Sequence, residues 1–136
     1  SDTLVETTCR WSDDQNYLLR QFVVKTADGR EMSGVQRIGW DPIRKKLRSW
    51  TFDSEGGFFS GYWARTSDGW LITSEGVSAD GEPVVASATY QLVSFDRIVW
   101  QYKTLIVGDS VTDSHAPVTM VKKSPVPALD VSAKSE

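Results

Sequence analysis

Turn signals that recur along the whole chain constrain its fold more than any other feature of the sequence. They follow one another about every ten residues, and three of them are Asp-Gly pairs, at residues 28–29, 68–69 and 80–81. Asp-Gly accepts the positive φ angles of tight hairpin turns. The segments between the turns are rich in β-branched and aromatic residues, and no long run shows helical periodicity. The pattern therefore predicts an all-β protein.

The turns separate nine predicted strands. Short connections make consecutive strands pair in antiparallel fashion, which gives an up-and-down meander. A twisted sheet of this size tends to curl, because curling removes exposed edges. We therefore predict a barrel or strongly curved half-barrel of lipocalin-like architecture, with residues 1–123 as one domain and 124–136 as a flexible tail. The predicted strands span residues 5–11, 16–26, 31–40, 46–53, 57–66, 69–77, 83–93, 96–107 and 117–123.

Two predicted hairpins between residues 36 and 63 place large aromatic residues on both faces of the sheet. If Trp40 pairs with Leu47, then Trp40 and Trp50 lie on opposite faces. The second hairpin, through a turn at 54–57, is predicted to extend both faces: Phe59, Gly61 and Trp63 join the Trp50 face, and Phe58 and Tyr62 join the Trp40 face. One face would line the interior. The other would need cover, so we expect a homodimer or a missing N-terminal domain.

The composition argues against several classes of function. A net charge of −3 without a basic cluster disfavours nucleic acid. No apolar run is long enough to span a bilayer, so no membrane partner is expected. One cysteine, Cys9, and one histidine, His115, make a Cys/His zinc site or a Ser-His-Asp triad improbable. Calcium, Walker and dinucleotide motifs are absent, and we expect neither a metal nor a cofactor.

The aromatic face that carries two arginines is the best candidate for a binding site. An apolar wall with few polar groups is typical of a small-molecule pocket, and a guanidinium can pair with an anionic ligand. The alternative is a filled core whose arginines reach solvent at the barrel rim. The residues predicted to bind a ligand in the interior are Arg37, Arg48, Trp50, Phe52, Trp63 and Trp100, with the two arginines as polar anchors.

Two carboxylates keep an enzymatic alternative open. Asp53 lies near the aromatic wall and Glu75 lies within a predicted strand. A desolvated carboxylate can act as a general acid or base. However, Asp53 falls in a glycine-rich turn, where its side chain would serve the backbone, and most strand carboxylates point to solvent. No catalytic residue is therefore predicted.

The segments 36–42 and 47–58, followed by Gly61-Tyr62-Trp63, resemble the β-rich C-terminal region of longer SnoaL-like, polyketide-cyclase-like bacterial proteins of the planctomycete type. The resemblance extends over residues 8–123. It implies that this chain is a C-terminal module without its cone-shaped N-terminal domain, and it favours an extracytoplasmic location. It supplies no catalytic residues, because the acid–base residues of the cyclases belong to the cone-shaped domain.

Taken together, these features favour a non-enzymatic module. It would bind a small apolar or amphipathic ligand, or act as an accessory or assembly domain. One alternative is an enzyme of the isomerase, cyclase or hydrolase type that uses a buried carboxylate. Another is a purely structural module that docks on a neighbour through the Trp40 face. Fold analogy by itself does not choose among them.

Overall fold

The computed structural model describes residues 3–112 and 115–122. These residues form one antiparallel meander that curves strongly into a half-barrel, and no helix occurs among them. The predicted fold class is confirmed. The strands are β1 (Leu4–Trp11), β2 (Tyr17–Lys25), β3 (Glu31–Asp41), β4 (Lys46–Asp53), β5 (Phe58–Arg65), β6 (Gly69–Val77), β7 (Pro83–Ser94), β8 (Arg97–Val107), β9 (Ser110–Thr112) and β10 (Val118–Val121).

Each of the nine predicted strands corresponds to an observed one, and β9 is the strand that sequence reasoning missed. It has three residues and pairs with the end of β8 through a tight turn at Gly108, whose φ is 59°. A strand this short carries no readable alternation of apolar and polar residues. The predicted flexible tail, residues 124–136, lies outside the described residues.

A hydrogen bond across the sheet reveals its curvature. The Arg20 guanidinium on β2 donates to the Tyr90 hydroxyl on β7 at 2.8 Å. These strands are separated by five strand spacings of about 4.8 Å each along the sheet. Two side chains meet over that distance only if the sheet curls around them. We call the concave face that carries both side chains the inner face and the opposite face the outer face.

The inner face holds the apolar core. Its most buried hydrophobic side chains come from β3, β6 and β7: Ile38, Ile72, Val84, Ala86 and Ala88. Ser49 is the buried polar residue of this core, with 3% of its surface exposed, and its hydroxyl accepts a hydrogen bond from the Trp63 indole at 3.0 Å. The pairing satisfies a polar group that would otherwise be costly to bury.

The register of the β4–β5 hairpin corrects the predicted assignment of faces. The first hairpin pairs Trp40 with Leu47, as predicted. In the second, Phe52 pairs with Phe58 and Leu47 pairs with Trp63. Phe58 and Tyr62 therefore lie on the outer face with Trp50, whereas Phe59, Gly61 and Trp63 lie on the inner face with Trp40. The prediction was wrong by one residue of register, and one residue exchanges the faces of an entire strand.

The shape of the turn explains this correction. Asp53 and Gly57 close the hairpin through a backbone hydrogen bond of 3.0 Å, so the loop has three residues rather than four. Gly56 adopts a φ of 99°, which suits a three-residue hairpin with glycine in the left-handed region. The Asp53 carboxylate accepts the backbone N–H groups of Glu55 and Gly57, both at 2.9 Å. Asp53 therefore serves the turn.

Candidate functional site

The structure divides the six predicted ligand-binding residues between the two faces. Pairing of β3, β4 and β5 places Arg37, Arg48, Trp50 and Phe52 on the outer face. Trp63 lies on the inner face, and so does Trp100, through the pairing of β7 with β8. The expectation that the four aromatic residues line the interior together is therefore wrong. A single site that contains both arginines would lie on the outer face and could not include Trp63 or Trp100.

The inner tryptophans belong to packed aromatic clusters. Trp63 stacks on Tyr90 with ring centroids 5.3 Å apart and meets the edge of Trp70 at 6.1 Å. Trp100 packs edge-to-face against Tyr102 at 4.6 Å. Such arrangements are typical of aromatic packing in protein cores. Burial raises the pKa of Tyr102 above its ordinary value, and the neighbouring Tyr90 adds to the shift.

The outer face carries a ladder of alternating arginines and aromatic rings. The Arg37 guanidinium lies 5.6 Å from the centre of the Tyr17 ring, and Tyr17 meets Trp50 edge-on at 6.4 Å. The Arg48 guanidinium lies 5.2 Å from the centre of the Trp50 ring and 5.0 Å from the centre of the Tyr62 ring. Each contact is within the range of favourable cation–π interaction. We call this set of side chains the outer ladder.

Arg48 is committed to contacts within the protein. Its guanidinium is held between two rings, and it lies 3.6 Å from the Asp41 carboxylate. That carboxylate also accepts backbone N–H groups from Arg44 and Ile43 and a hydrogen bond from Tyr62. These bonds, that of Arg44 foremost, hold the pKa of Asp41 below its ordinary value. Arg48 is therefore a poorer ligand anchor than the sequence suggested.

A groove of about 320 Å³ lies on the outer face where β1 to β4 run side by side. Leu19, Val35, Trp50 and Phe52 form its apolar wall. Arg37 and Arg10 supply its cationic groups, and neither forms an ion pair among the described residues. The groove thus combines a broad apolar surface with two guanidinium groups of unmatched charge.

A second groove, of about 560 Å³, lies across β4 to β7 on the other side of Arg48. Arg44 and Lys46 line one part of it, and Glu75 and Val85 line another. Glu75 is exposed on the outer face. Since Asp53 serves its turn, neither carboxylate considered for acid–base chemistry is buried, and burial is what would tune a carboxylate for that role.

Sequence reasoning missed Tyr17, Arg10, Leu19 and Val35. The signal for Tyr17 is that it pairs with Gly39, and a Cβ at Gly39 would collide with the tyrosine ring. A glycine facing an aromatic residue across strands is a recognised device in curved sheets. Val35 lies two residues before Arg37 on β3 and therefore shares its face, and Leu19 follows from the β2–β3 hairpin that contains Asp28-Gly29. Arg10 depends on the β1–β2 register, and the turn between these strands has no Asp-Gly pair.

Metal sites and membrane-spanning helices are two further features to consider for residues 3–112 and 115–122. No group of three or more His, Cys, Asp or Glu side chains there is arranged to hold a metal ion. Nor does that part of the chain contain a helix long and apolar enough to cross a membrane.

No protein-family model, curated protein or solved structure matches this chain. The resemblance to SnoaL-like proteins therefore stays a prediction, and the site has to be interpreted from its own geometry.

Proposed function

We propose that this chain is a non-enzymatic binding module and that its outer groove holds a small amphipathic anion. The observation that carries the proposal is the position of Arg37. Its side chain is exposed, it has no carboxylate partner among the described residues, and it stands beside the apolar wall of the groove. A guanidinium in that position favours a ligand with a planar anionic group.

The dimensions of the groove agree with such a ligand. A volume of about 320 Å³ is at the lower end of the range for small-molecule sites. The apolar part of the ligand would contact Trp50 and Phe52, and its carboxylate, sulfonate or phosphate would face Arg37 and Arg10. The outer ladder supports this arrangement, because the edge-on contact with Tyr17 and the contact with the Arg48 guanidinium restrict the orientation of the Trp50 ring.

Fluorescence titration with 8-anilinonaphthalene-1-sulfonate tests the proposal, because this probe has an apolar aromatic body and one anionic group. Arg37→Gln should weaken binding by roughly tenfold, which is the expected loss of one hydrogen bond to a charged group. Trp50→Ala should weaken it at least as much. The uncharged probe N-phenyl-1-naphthylamine should bind less tightly and respond little to Arg37→Gln.

The matched control is Arg30→Gln. Arg30 lies in the β2–β3 turn away from the groove and pairs with Glu55 at 3.0 Å. The Arg30→Gln variant should bind the probe with an affinity within about twofold of that of the unmodified protein, as is usual for an isolated surface charge. Equal affinity of the Arg37→Gln variant and the unmodified protein would overturn the proposal.

Assembly is a second candidate function, supported by a row of exposed apolar residues on the outer face. Val35, Phe52 and Phe58 are directly paired neighbours on β3, β4 and β5, with 49%, 57% and 50% of their surfaces exposed. Adjacent exposed apolar residues favour contact with another protein. Phe58 lies outside the groove, so Phe58→Ser should reduce any dimer seen by light scattering without changing probe binding. A monomer at all concentrations would exclude this role.

A further inference from the structure

Exposed apolar side chains concentrate at one end of the half-barrel. The turns β1–β2, β3–β4, β5–β6 and β7–β8 lie at this end, together with the last residue of β10, and we call it the turn end. Ile43 and Phe95 are 86% and 92% exposed, and both lie within turns. Further exposed apolar residues at this end are Trp11, Trp40, Leu92, Val93 and Val121. At the opposite end, the exposed large apolar residues include Leu4, Phe58 and Val111, with 53%, 50% and 59% of their surfaces exposed, so none of these three approaches the exposure of Ile43 or Phe95.

Local structure holds the two most exposed side chains away from the core. In the β3–β4 turn, the Asp41 carboxylate accepts the backbone N–H of Ile43 at 3.0 Å, and Lys45 adopts a φ of 56°. In the β7–β8 turn, the Ser94 hydroxyl donates to the Asp96 carboxylate at 2.8 Å. Both turns are therefore built by polar groups, and the apolar side chains contribute nothing to them.

Charge is distributed unevenly between the two ends. The cationic side chains of the turn end include Arg44, Lys45, Lys46, Arg65, Arg97 and Lys122. They outnumber its carboxylates, which are Asp13, Asp14, Asp41, Asp68 and Asp96 among the described residues. The opposite end is acidic, with Asp28, Asp53, Glu55, Asp80, Glu82 and Asp109. Although the whole chain is acidic, the apolar end is its cationic end.

Several carboxylates of the turn end accept hydrogen bonds within the protein. Asp41 lies against Arg48, as described above, and Asp68 accepts a hydrogen bond from the Gln91 amide at 2.9 Å. Asp14 accepts the Ser12 hydroxyl at 2.6 Å and the backbone N–H of Asn16. In contrast, Arg44, Lys45 and Lys46 follow directly after Ile43 and form no ion pair among the described residues. The cations nearest the Ile43 tip are thus exposed and have no carboxylate partner among the described residues.

We propose that the turn end docks on an anionic lipid surface, with Ile43 and Phe95 inserted among the headgroups. Cationic side chains next to exposed apolar tips suit the boundary between headgroups and acyl chains, where both kinds of group are satisfied at once. The acidic opposite end would be repelled by the same surface, which orients the molecule. The sequence indicated no membrane partner because it lacks a spanning segment, and a surface contact needs none.

Vesicle flotation tests this proposal with two lipid preparations, one of phosphatidylcholine alone and one of phosphatidylcholine and phosphatidylglycerol in equal parts. The protein should bind the mixed vesicles at low ionic strength roughly tenfold more tightly than the neutral ones. High salt should remove most of this difference, because it screens surface charge. Equal binding to both preparations, or no binding to the mixed vesicles, overturns the proposal.

Two sets of variants locate the contact. The double variant Ile43→Ser, Phe95→Ser should reduce binding to mixed vesicles by roughly tenfold or more, since it removes both apolar tips. Its matched control is Phe58→Ser, Val111→Ser, which removes exposed apolar residues from the outer face and should leave binding within twofold. An equal loss in the two double variants overturns the assignment to the turn end.

The charge variant Arg44→Gln, Lys45→Gln, Lys46→Gln should abolish the preference for mixed vesicles, and Lys25→Gln, Arg30→Gln at the opposite end should not. Thermal melting of each variant verifies that it is folded, as expected for surface substitutions. The unmodified protein could instead dimerise without binding vesicles. If Ile43→Ser, Phe95→Ser then disrupted the dimer, the turn end would be a contact with a second copy, and the proposal would be overturned. Arg37→Gln should bind vesicles normally, which separates this surface from the outer groove.

Discussion

The two faces of the half-barrel use similar residues for different purposes. On the inner face, Arg20 donates to the Gln36 amide oxygen and the Tyr90 hydroxyl, both at 2.8 Å, and aromatic rings pack on one another. On the outer face, Arg37 lies over the Tyr17 ring, and Arg48 lies over the Trp50 and Tyr62 rings. Arg20 is thus enclosed by neutral acceptors, whereas Arg37 remains available to an external anion.

This difference shows that register determines what each residue can do. Trp50 and Trp63 are both half-buried tryptophans on neighbouring strands. Trp63 donates its indole N–H to buried Ser49 and stacks in the core, whereas Trp50 stands in the groove wall. A one-residue change in the β4–β5 pairing would place both tryptophans on the same face.

The largest expected difference between the two faces is the loss of stability when each of these tryptophans is replaced by alanine. Trp63→Ala should lower the free energy of unfolding by about 3 kcal/mol or more, because it leaves a cavity and an unpaired Ser49 hydroxyl. Trp50→Ala should cost about 1–2 kcal/mol, because Trp50 stands in the wall of the groove and its removal leaves no enclosed cavity. Denaturation in urea measures both. Equal losses in the two variants would contradict the division into a core face and a binding face.

A smaller effect is expected from the bond that spans the inner face. Arg20→Gln and Tyr90→Phe each remove the contact that joins β2 to β7, and each should cost about 1–2 kcal/mol. Because the residues contact each other, the double variant should cost less than the sum of the single variants, by about 1 kcal/mol. Arg37→Gln, the outer-face counterpart, should change stability by less than about 0.5 kcal/mol. Strict additivity at Arg20 and Tyr90 would mean that the bond does not hold the sheet closed.

The fold was predictable because it depends on local signals. Asp-Gly turns and alternating strands specify a meander without any knowledge of distant contacts. The binding residues were predictable in part, since Arg37, Trp50 and Phe52 follow from the first hairpin alone. Trp63 was assigned to the wrong face because the backbone bond between Asp53 and Gly57 decides the length of the loop, and its residues are compatible with either length.

The groove residues of β1 and β2 were missed for a different reason. Leu19 follows from the β2–β3 hairpin that Asp28-Gly29 closes, but Arg10 depends on the β1–β2 pairing, whose turn has no Asp-Gly pair. The Arg20–Tyr90 contact joins residues that are 70 positions apart in sequence. Such a contact follows from the curvature of the whole sheet, which strand patterns do not specify.

The smallest expected effect concerns pH, and it distinguishes the inner face from the β3–β4 turn. The pKa of Tyr102 is raised from its ordinary value of 10.0 by burial, so the folded state favours the neutral phenol. Its contribution to stability is complete below pH 10 and is lost as the pH rises through the folded-state pKa. The melting temperature should fall above pH 10, and less steeply in Tyr102→Phe.

Asp41 should act at the opposite limit of pH, because its pKa is lowered from 3.8, mainly by the hydrogen bond from the Arg44 backbone. The contribution of Asp41 to stability is present above that value and is lost as the pH falls through the folded-state pKa. In a plot of melting temperature against pH, Asp41→Asn should therefore flatten the acid limb and leave the alkaline limb unchanged. Tyr102→Phe should do the reverse. If either variant flattened both limbs, the effect would reflect a general loss of structure, and the two titrations would not be separate properties of the two regions.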